Sequence, residues 1–439
     1  MPRIQISSVT AVTCNDAFDV IENAVIQIEN NRIIYVGAQK IAPDFVADEV
    51  LGGEHLVAIP GLINTHTHAA MTLIRGYADD MALEPWLRTK IWPYEKNLGR
   101  DDVYWGTSLA IAEMLKGGTT TFADMYFFYE DGARAMIESG IRACPGGVLL
   151  GFLPETDARI ANAITFVREY SGAGNGRITP IFAPHSLYTC NRAQWEKLIV
   201  AAQDAGVLLT THASETHREV ADVTRDWGAS PIQTLENIGA LDGPLVAAHC
   251  VHLNEADLEI MERRDVRVAH NPTSNMKLAS GFAPVDKFLQ HGIKTGLATD
   301  GAASNNNLDM WQEMRLAALI HKGATGNPTA VSARQALLMA TRDGARCLNL
   351  ESEIGSLEVG KKADIVLMDF DAPHLTPMHN VVSHLVYSAR ASDVHSVIVD
   401  GKVLLKNREF VSLDVAQIQA QARQCASRLV DLAQAFMAT

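Results

Sequence analysis

The chain has 439 residues, more than one ordinary domain holds and about right for a large barrel with a smaller companion. Hydrophobic residues make up 47% of it, enough to bury an extensive core. With 51 acidic against 37 basic side chains, the formal charge is -14; nucleic acids and anionic membranes, which require a positive surface, are excluded as partners, whereas an uncharged nucleoside is not.

The N-terminus, Met1-Pro2-Arg3-Ile4-Gln5-Ile6, has no long apolar run, so no signal peptide is expected. No stretch approaches the roughly 18 apolar residues of a membrane span, and the expected compartment is the cytoplasm. Residues 1–57 alternate with the period of strands. Ala24–Ile28 and Arg32–Val36 flank Glu29-Asn30-Asn31 as a hairpin. Beyond them come eight candidate strands: Val57 to His68, Thr119–Tyr126, Ala143–Leu150, Ile178–His185, Leu208–Glu215, Leu245–Val251, Val266–Pro272 and Lys294–Gly301. Helical stretches such as Val103–Lys116, Ala193–Ala205, Glu255–Glu262 and Met310–Ile320 separate most of them. Eight strand–helix units predict a (β/α)8 TIM barrel. Ala363–Met368 and Val394–Val399 return to the texture of the first residues, with Asp400-Gly401-Lys402 as a turn, and Asp414 to Ala438 reads as a helix. The expected organisation is residues 1–57 and 357–439 as the two parts of a small β-sandwich, the second carrying the terminal helix, with residues 58–356 as the catalytic barrel. Cys14, Cys144, Cys190, Cys250, Cys347 and Cys425 form no CxxC pair and read as reduced, buried thiols.

The polar residues at the C-terminal ends of these strands carry the chemistry, because that rim is where such barrels place catalytic groups. In Asn64-Thr65-His66-Thr67-His68 the two histidines are separated by one residue, so on a strand both face the same side. His212 ends the fifth strand and Asp300 the eighth. Three imidazoles and a carboxylate suit a catalytic metal with a position left open for water. Taken alone, Asp300 reads better as a cap on the following helix. Zinc and iron both accept this donor set.

Pro60-Gly61-Leu62-Ile63-Asn64-Thr65-His66-Thr67-His68 resembles the opening motif of the amidohydrolase superfamily. Together with His212-Ala213-Ser214-Glu215, Ala248-His249-Cys250 and Thr299-Asp300-Gly301-Ala302-Ala303-Ser304, it resembles the 5-methylthioadenosine/S-adenosylhomocysteine deaminases and their chlorohydrolase relatives, over nearly the whole chain. That resemblance implies a TIM barrel with a small β-sandwich, one divalent metal on His66, His68, His212 and Asp300, and hydrolytic deamination of an adenosine-type nucleoside. Two-metal members use a bridging lysine after the fourth strand; here Ala183-Pro184-His185-Ser186 lacks it, so one metal is expected.

The resemblance also distributes roles. Asp300 binds the metal and takes a proton from the attacking water. Glu215 shuttles a proton to the ring nitrogen, a task that suits a carboxylate in a water-poor pocket. His249 polarises the reacting centre. Glu95 holds the ribose hydroxyls, His185 contacts the nucleoside and Trp86 packs its 5′ substituent. Members that accept S-adenosylhomocysteine hold its carboxylate with arginines. Arg159 lies near one such position, but the third strand reads Gly146-Gly147-Val148 where the other is expected. Methylthioadenosine or adenosine is therefore favoured over the homocysteine substrate. The expected partners are a small nucleoside and further copies of the chain. The competing readings are another heterocycle in the same barrel (guanine, 8-oxoguanine, a pterin or a chloro-triazine) and a metal-free barrel serving as a binding or assembly protein.

Overall fold

Eight short strands, nearly all of their residues buried, pair in parallel around one axis in chain order: Leu62–Thr67, Thr119–Tyr126, Arg142–Leu149, Ile181–Pro184, Leu209–Ala213, Leu245–His249, Arg267–His270 and Thr295–Leu297. The computed structural model from which this is drawn describes residues 3–437. Alternation along each strand splits its side chains between two cores. Val246 and Ala248 join Ile63, Cys144 and Ile181 inside the barrel, while Leu245 and Ala247 pack outward against the helices. The seam between last and first strands is closed largely by side chains. Asn64 donates to the Thr299 hydroxyl (2.6 Å) and accepts from the Thr299 N–H (3.0 Å), and the Thr65 hydroxyl donates to the Leu297 carbonyl (2.9 Å).

The chain ends build a second, mixed sheet of nine strands, with the expected hairpin formed by Val20–Glu29 and Arg32–Ala38. The sequence reading ran the first barrel strand from Val57 to His68. In the structure that run is two strands in different sheets. Leu56–Pro60 pairs antiparallel with Ile365–Asp369 in the terminal sheet, and Leu62–Thr67 begins the barrel. Gly61 is the crossing point: its N–H bonds to the Asp364 carbonyl on one side, and the next N–H, of Leu62, to Gly118 on the other. A Cβ at Gly61 would lie 2.0 Å from the Thr120 hydroxyl oxygen, so only glycine fits. Both faces of Leu56–Pro60 are buried, Leu56 and Ala58 in the core of the terminal sheet, Val57 and Ile59 in that of the barrel and its helices. Buried Arg142 ties the two sheets further, its guanidinium bonded to Asp364 (2.7 and 3.1 Å) and Asp400 (3.4 Å).

The helices sit where the sequence placed them, some longer. Arg100–Lys116 starts three residues early because the Asp102 carboxylate accepts the Gly99 N–H (2.8 Å). The last helix covers Val415–Met437; its expected end at Ala438 lies outside the described residues. It supports the barrel mouth, with Ala422, Leu429 and Ala433 in one cluster with Trp86, Leu87, Ile91 and Tyr94. All six cysteines are free and five are buried; Cys425, half-buried, departs from that expectation because it lies on this surface helix. No described helix is long and apolar enough to cross a membrane.

Candidate metal centre and substrate cavity

The rim groups lie at or just past the strand ends, where the ladder releases the backbone. His249, which ends its strand, has φ 74°, Ser214 just past its strand has φ 54°, and Asp300, three residues beyond Leu297, has φ 60°. Such left-handed residues turn the chain sharply and concentrate at functional sites. They also explain why strands read from sequence as reaching Glu215 and Gly301 stop earlier.

Four side-chain atoms converge inside this rim. His66 Nε2 lies 3.1 Å from His212 Nε2 and 3.6 Å from Asp300 Oδ1. His68 Nε2 lies 3.3 Å from His212 Nε2 and 3.2 Å from Asp300 Oδ1. The Nδ1 of His68 faces the Met125 carbonyl at 2.7 Å, and that of His212 faces the His185 carbonyl at 2.8 Å. A carbonyl only accepts, so both Nδ1 atoms carry the proton and both Nε2 atoms present lone pairs to each other. Asp300 Oδ2 is satisfied by the hydroxyls of Ser274 (2.7 Å) and Ser304 (2.6 Å), but buried Oδ1 has no hydrogen-bond partner among the described residues. Converging lone pairs and a carboxylate oxygen repel one another unless a proton or a cation lies between them. Tetrahedral bonds of about 2.0–2.1 Å require ligand atoms roughly 3.3–3.4 Å apart, and the four distances bracket that value.

Charge points the same way. Burial, then neighbouring imidazoles, hold His66 and His212 well below the usual histidine range, so both are neutral as ligands must be. Burial opposes ionisation of Asp300, but the imidazoles outweigh it and keep the carboxyl well below its usual range. For His68 burial opposes protonation, yet Asp300 raises it to about 9; a bound cation would take the place of that proton. His249 also approaches, since one ligand atom each from His66, His212, His249 and Asp300 lies within 4.8 Å of the rest. His68, with its two contacts of 3.2–3.3 Å, fits the fourth ligand position better.

His249 is placed for another task. Its Nδ1 is 2.8 Å from the Asn275 side-chain oxygen, which leaves Nε2 free toward Glu215, 3.8 Å away. Glu215 is buried at 4% exposure, and burial raises its carboxyl above the usual range. Among the described residues the only hydrogen bond to its carboxylate is a long one from the Ser280 hydroxyl (3.5 Å). A carboxyl so placed is suited to passing a proton.

Several supporting residues were not singled out in the sequence. Asn275, Ser274 and Ser304 hold His249 and Asp300. Asp124 accepts from the Thr67 hydroxyl (3.1 Å) and the Ala69 N–H (2.7 Å), fixing the turn that carries His68. Glu219 is buried, and its two oxygens accept the N–H groups of Ser214 (2.9 Å) and Glu215 (2.6 Å). Thr216-His217-Arg218-Glu219 has the spacing of a helix capping box, a signal that was available. The Thr216 hydroxyl does accept the Glu219 N–H (3.1 Å), but the carboxylate reaches past the cap to hold the catalytic turn.

The cavity over the metal ligands is lined by Trp86, Glu95, His185, Glu215 and His249. It is small, about 60 Å³. Glu95, Trp92, Val148 and Leu150 also line an adjoining cavity of about 700 Å³. Trp86 is buried, its indole N–H donating to the Ala78 carbonyl (3.0 Å). Burial pushes Glu95 up to about 7 and His185 down to about 3. Arg159 is not in the central cavity: it is exposed, lines only the adjoining one, and donates to the Pro154 carbonyl (3.1 Å).

Three imidazoles and one carboxylate on the C-terminal rim of an eight-stranded barrel, with a buried acid beside them, define a metal-dependent hydrolase. The family model for the amidohydrolase family matches residues 57–404, and the chain belongs to that family. It is 49% identical over 407 residues to a 5-methylthioadenosine/S-adenosylhomocysteine deaminase of Desulforudis audaxviator, covering 92% of this chain and 95% of the relative. Its identity to the protein of the same name from Pelotomaculum thermopropionicum is 46% over 432 residues, 98% and 100% of the two chains. Among solved structures, an adenosine deaminase from Xanthomonas campestris with bound zinc superposes with a TM-score of 0.93 at 37% identity, covering 98% of each chain.

Proposed function

We propose that this chain is a hydrolytic deaminase of adenosine-type nucleosides, using one divalent metal and preferring 5′-methylthioadenosine. The observation that carries the reading is the convergence of His66, His68, His212 and Asp300 Oδ1 beside buried Glu215. Those four residues would hold the cation, zinc by analogy with the zinc-bound deaminase structure, with iron the alternative. Such a cation supplies Lewis-acid activation of a water.

The remaining chemistry belongs to the chain. Asp300, its Oδ2 held by Ser274 and Ser304, takes a proton from the attacking water. Glu215 delivers a proton to the ring nitrogen beside the attacked carbon, the proton held by Asp300 passes to the departing amine, and the proton of the added hydroxyl returns to Glu215, so that water and the aminopurine become the oxopurine and ammonia. His249, oriented by Asn275 and lying beside the ligands, stabilises developing charge. Glu95 accepts from the ribose hydroxyls, His185 and Trp86 line the path of the nucleoside, and Arg159 reaches only its far end.

The 5′ preference rests on Val148, which faces both cavities where a guanidinium would be needed for an amino-acid carboxylate. A lost charge-assisted bond is worth about 1.5–3 kcal/mol, or one to two decades. Ammonia release and the ultraviolet change are measured with 5′-methylthioadenosine, adenosine and S-adenosylhomocysteine in parallel. kcat/KM should fall at least about tenfold from the first to the last. Release from guanine, 8-oxoguanine, a pterin or a chloro-triazine, with none from the nucleosides, overturns the reading.

A further inference from the structure

One short segment of the rim touches three of the groups assigned to the reaction. Residues 272–280 follow the seventh barrel strand. From them the Ser274 hydroxyl donates to Asp300 Oδ2 (2.7 Å), the Asn275 side-chain oxygen faces His249 Nδ1 (2.8 Å), and the Ser280 hydroxyl reaches Glu215 (3.5 Å). The one charged residue in this segment is Lys277. An ammonium has three N–H donors, and here each has an acceptor. They are the Asp79 carboxylate (2.5 Å), the Ala303 carbonyl (3.2 Å) and the Asn306 side-chain oxygen.

These acceptors belong to two other segments that build the site. Ala303 and Asn306 lie on the turn after Asp300. Ala303 precedes Ser304, the second hydroxyl donor to Asp300 Oδ2 (2.6 Å). The two hydroxyls that orient Asp300 thus come from the two segments that Lys277 joins. Asp79 belongs to the 75–95 stretch, which brings Trp86 and Glu95 to the central cavity. It adjoins Ala78, whose carbonyl anchors the Trp86 indole (3.0 Å). The Lys277 side chain is 21% exposed, so its contacts are largely shielded from water.

We propose that Lys277 is a positioning residue with two arms. Through Ala303 and Asn306 it sets the hydroxyls that aim Asp300. Through Asp79 it holds the 75–95 stretch, with Trp86 and Glu95, against the rim. Its effect on turnover rests on the deaminase reading above; its effect on the two segments does not.

The test compares Lys277→Met, Asp79→Ala and the double variant. Ammonia release from 5′-methylthioadenosine gives KM and kcat per bound metal, and amide hydrogen exchange is measured on the same preparations. Asp79→Ala cuts one arm: KM should rise about threefold, in keeping with a partly exposed ion pair, and kcat should stay within about twofold. Lys277→Met cuts both: the same rise in KM, with a loss of about tenfold in kcat at full metal content, because the buried Ala303 carbonyl loses its donor. In the double variant KM should rise no further than in Lys277→Met. Exchange should quicken over 75–95 in both single variants, and over 301–306 in Lys277→Met alone. Unchanged exchange over 301–306 with kcat within about twofold of wild type overturns the proposal, as do KM increases that multiply in the double variant. If Lys277→Met does not fold, Asn306→Gly removes one rim acceptor and suits the left-handed φ of 75° there. It should lower kcat about threefold with KM unchanged, and an unchanged kcat overturns the proposal. The exchange result needs no substrate, so a wild type that releases no ammonia from nucleosides overturns the deaminase reading alone.

Discussion

Replacing Glu219 by glutamine tests whether the catalytic turn is held from behind. The Glu219 carboxylate accepts two successive backbone N–H groups, from Ser214 at 2.9 Å and Glu215 at 2.6 Å, while Ser214 is in the left-handed region. Glutamine keeps one acceptor but turns an NH2 toward the other N–H. One bond is lost and one buried donor is orphaned, costing about 2–3 kcal/mol of local restraint. Burial, and then repulsion from Glu215, raise the Glu219 carboxyl to about 7, so the two bonds only partly offset its desolvation. If the restraint is needed only to aim Glu215, the loss appears in kcat, roughly 30- to 150-fold. It should leave metal content and KM nearly unchanged, because none of the proposed ligands bonds to Glu219. The assay is steady-state ammonia release at pH 8, where Glu219 is ionised, alongside metal analysis of the same preparation. As pH falls through about 7, Glu219 in the wild type takes up a proton and loses an acceptor, so the gap between the two proteins should narrow. A kcat within about threefold of wild type at pH 8, with metal retained, would refute the argument that Glu219 positions Glu215.

The other expectations concern groups inside the cavity. His212→Ala should abolish both bound metal and activity, as read by elemental analysis and ammonia release; full metal content in that variant removes His212 from the ligand set. Glu215→Gln should retain the metal and lose about 10²–10⁴-fold in turnover, the usual contribution of a general acid–base group, and activity within a few-fold of wild type excludes it as proton carrier. Burial raises Glu95 to about 7, so below that pH the free protein carries it protonated. KM for ribonucleosides should therefore rise as pH drops through about 7, and Glu95→Gln should flatten that rise. A wild-type KM independent of pH from 6 to 8 contradicts a carboxylate clamp.

The metal ligands were legible because chemistry and periodicity coincide there. His66 and His68 share a face through the period of a strand, and His212, Glu215, His249 and Asp300 each close an apolar run. The positioning residues were not, because their partners are distant in the chain. Nothing local joins Ser274 or Ser304 to Asp300 as an orienting pair, and Asp124 reaches His68 only through a turn on the neighbouring strand. Glu219 carried a capping-box signal that named the wrong donor. The merging of Leu56–Pro60 with the first barrel strand has the same origin. Both segments are buried on both faces, and only the contact between Gly61 and Thr120 reveals that the chain changes sheet between them.

That short strand has a consequence for how the protein is made. Leu56–Pro60 leaves the ribosome early, yet the strand that pairs with it, Ile365–Asp369, follows 305 residues later, counting from Pro60 to Ile365. Throughout synthesis of the barrel, one edge of an apolar segment with no solvent-facing side waits without its neighbour. Contacts so remote in sequence are slow to form, and an unpaired edge is open to association between chains. The step that completes the terminal sheet thus depends on the last part of the chain to be translated. A nascent protein halted before residue 369 would carry most of the metal-binding barrel together with an open edge, a species that chaperones would be expected to hold.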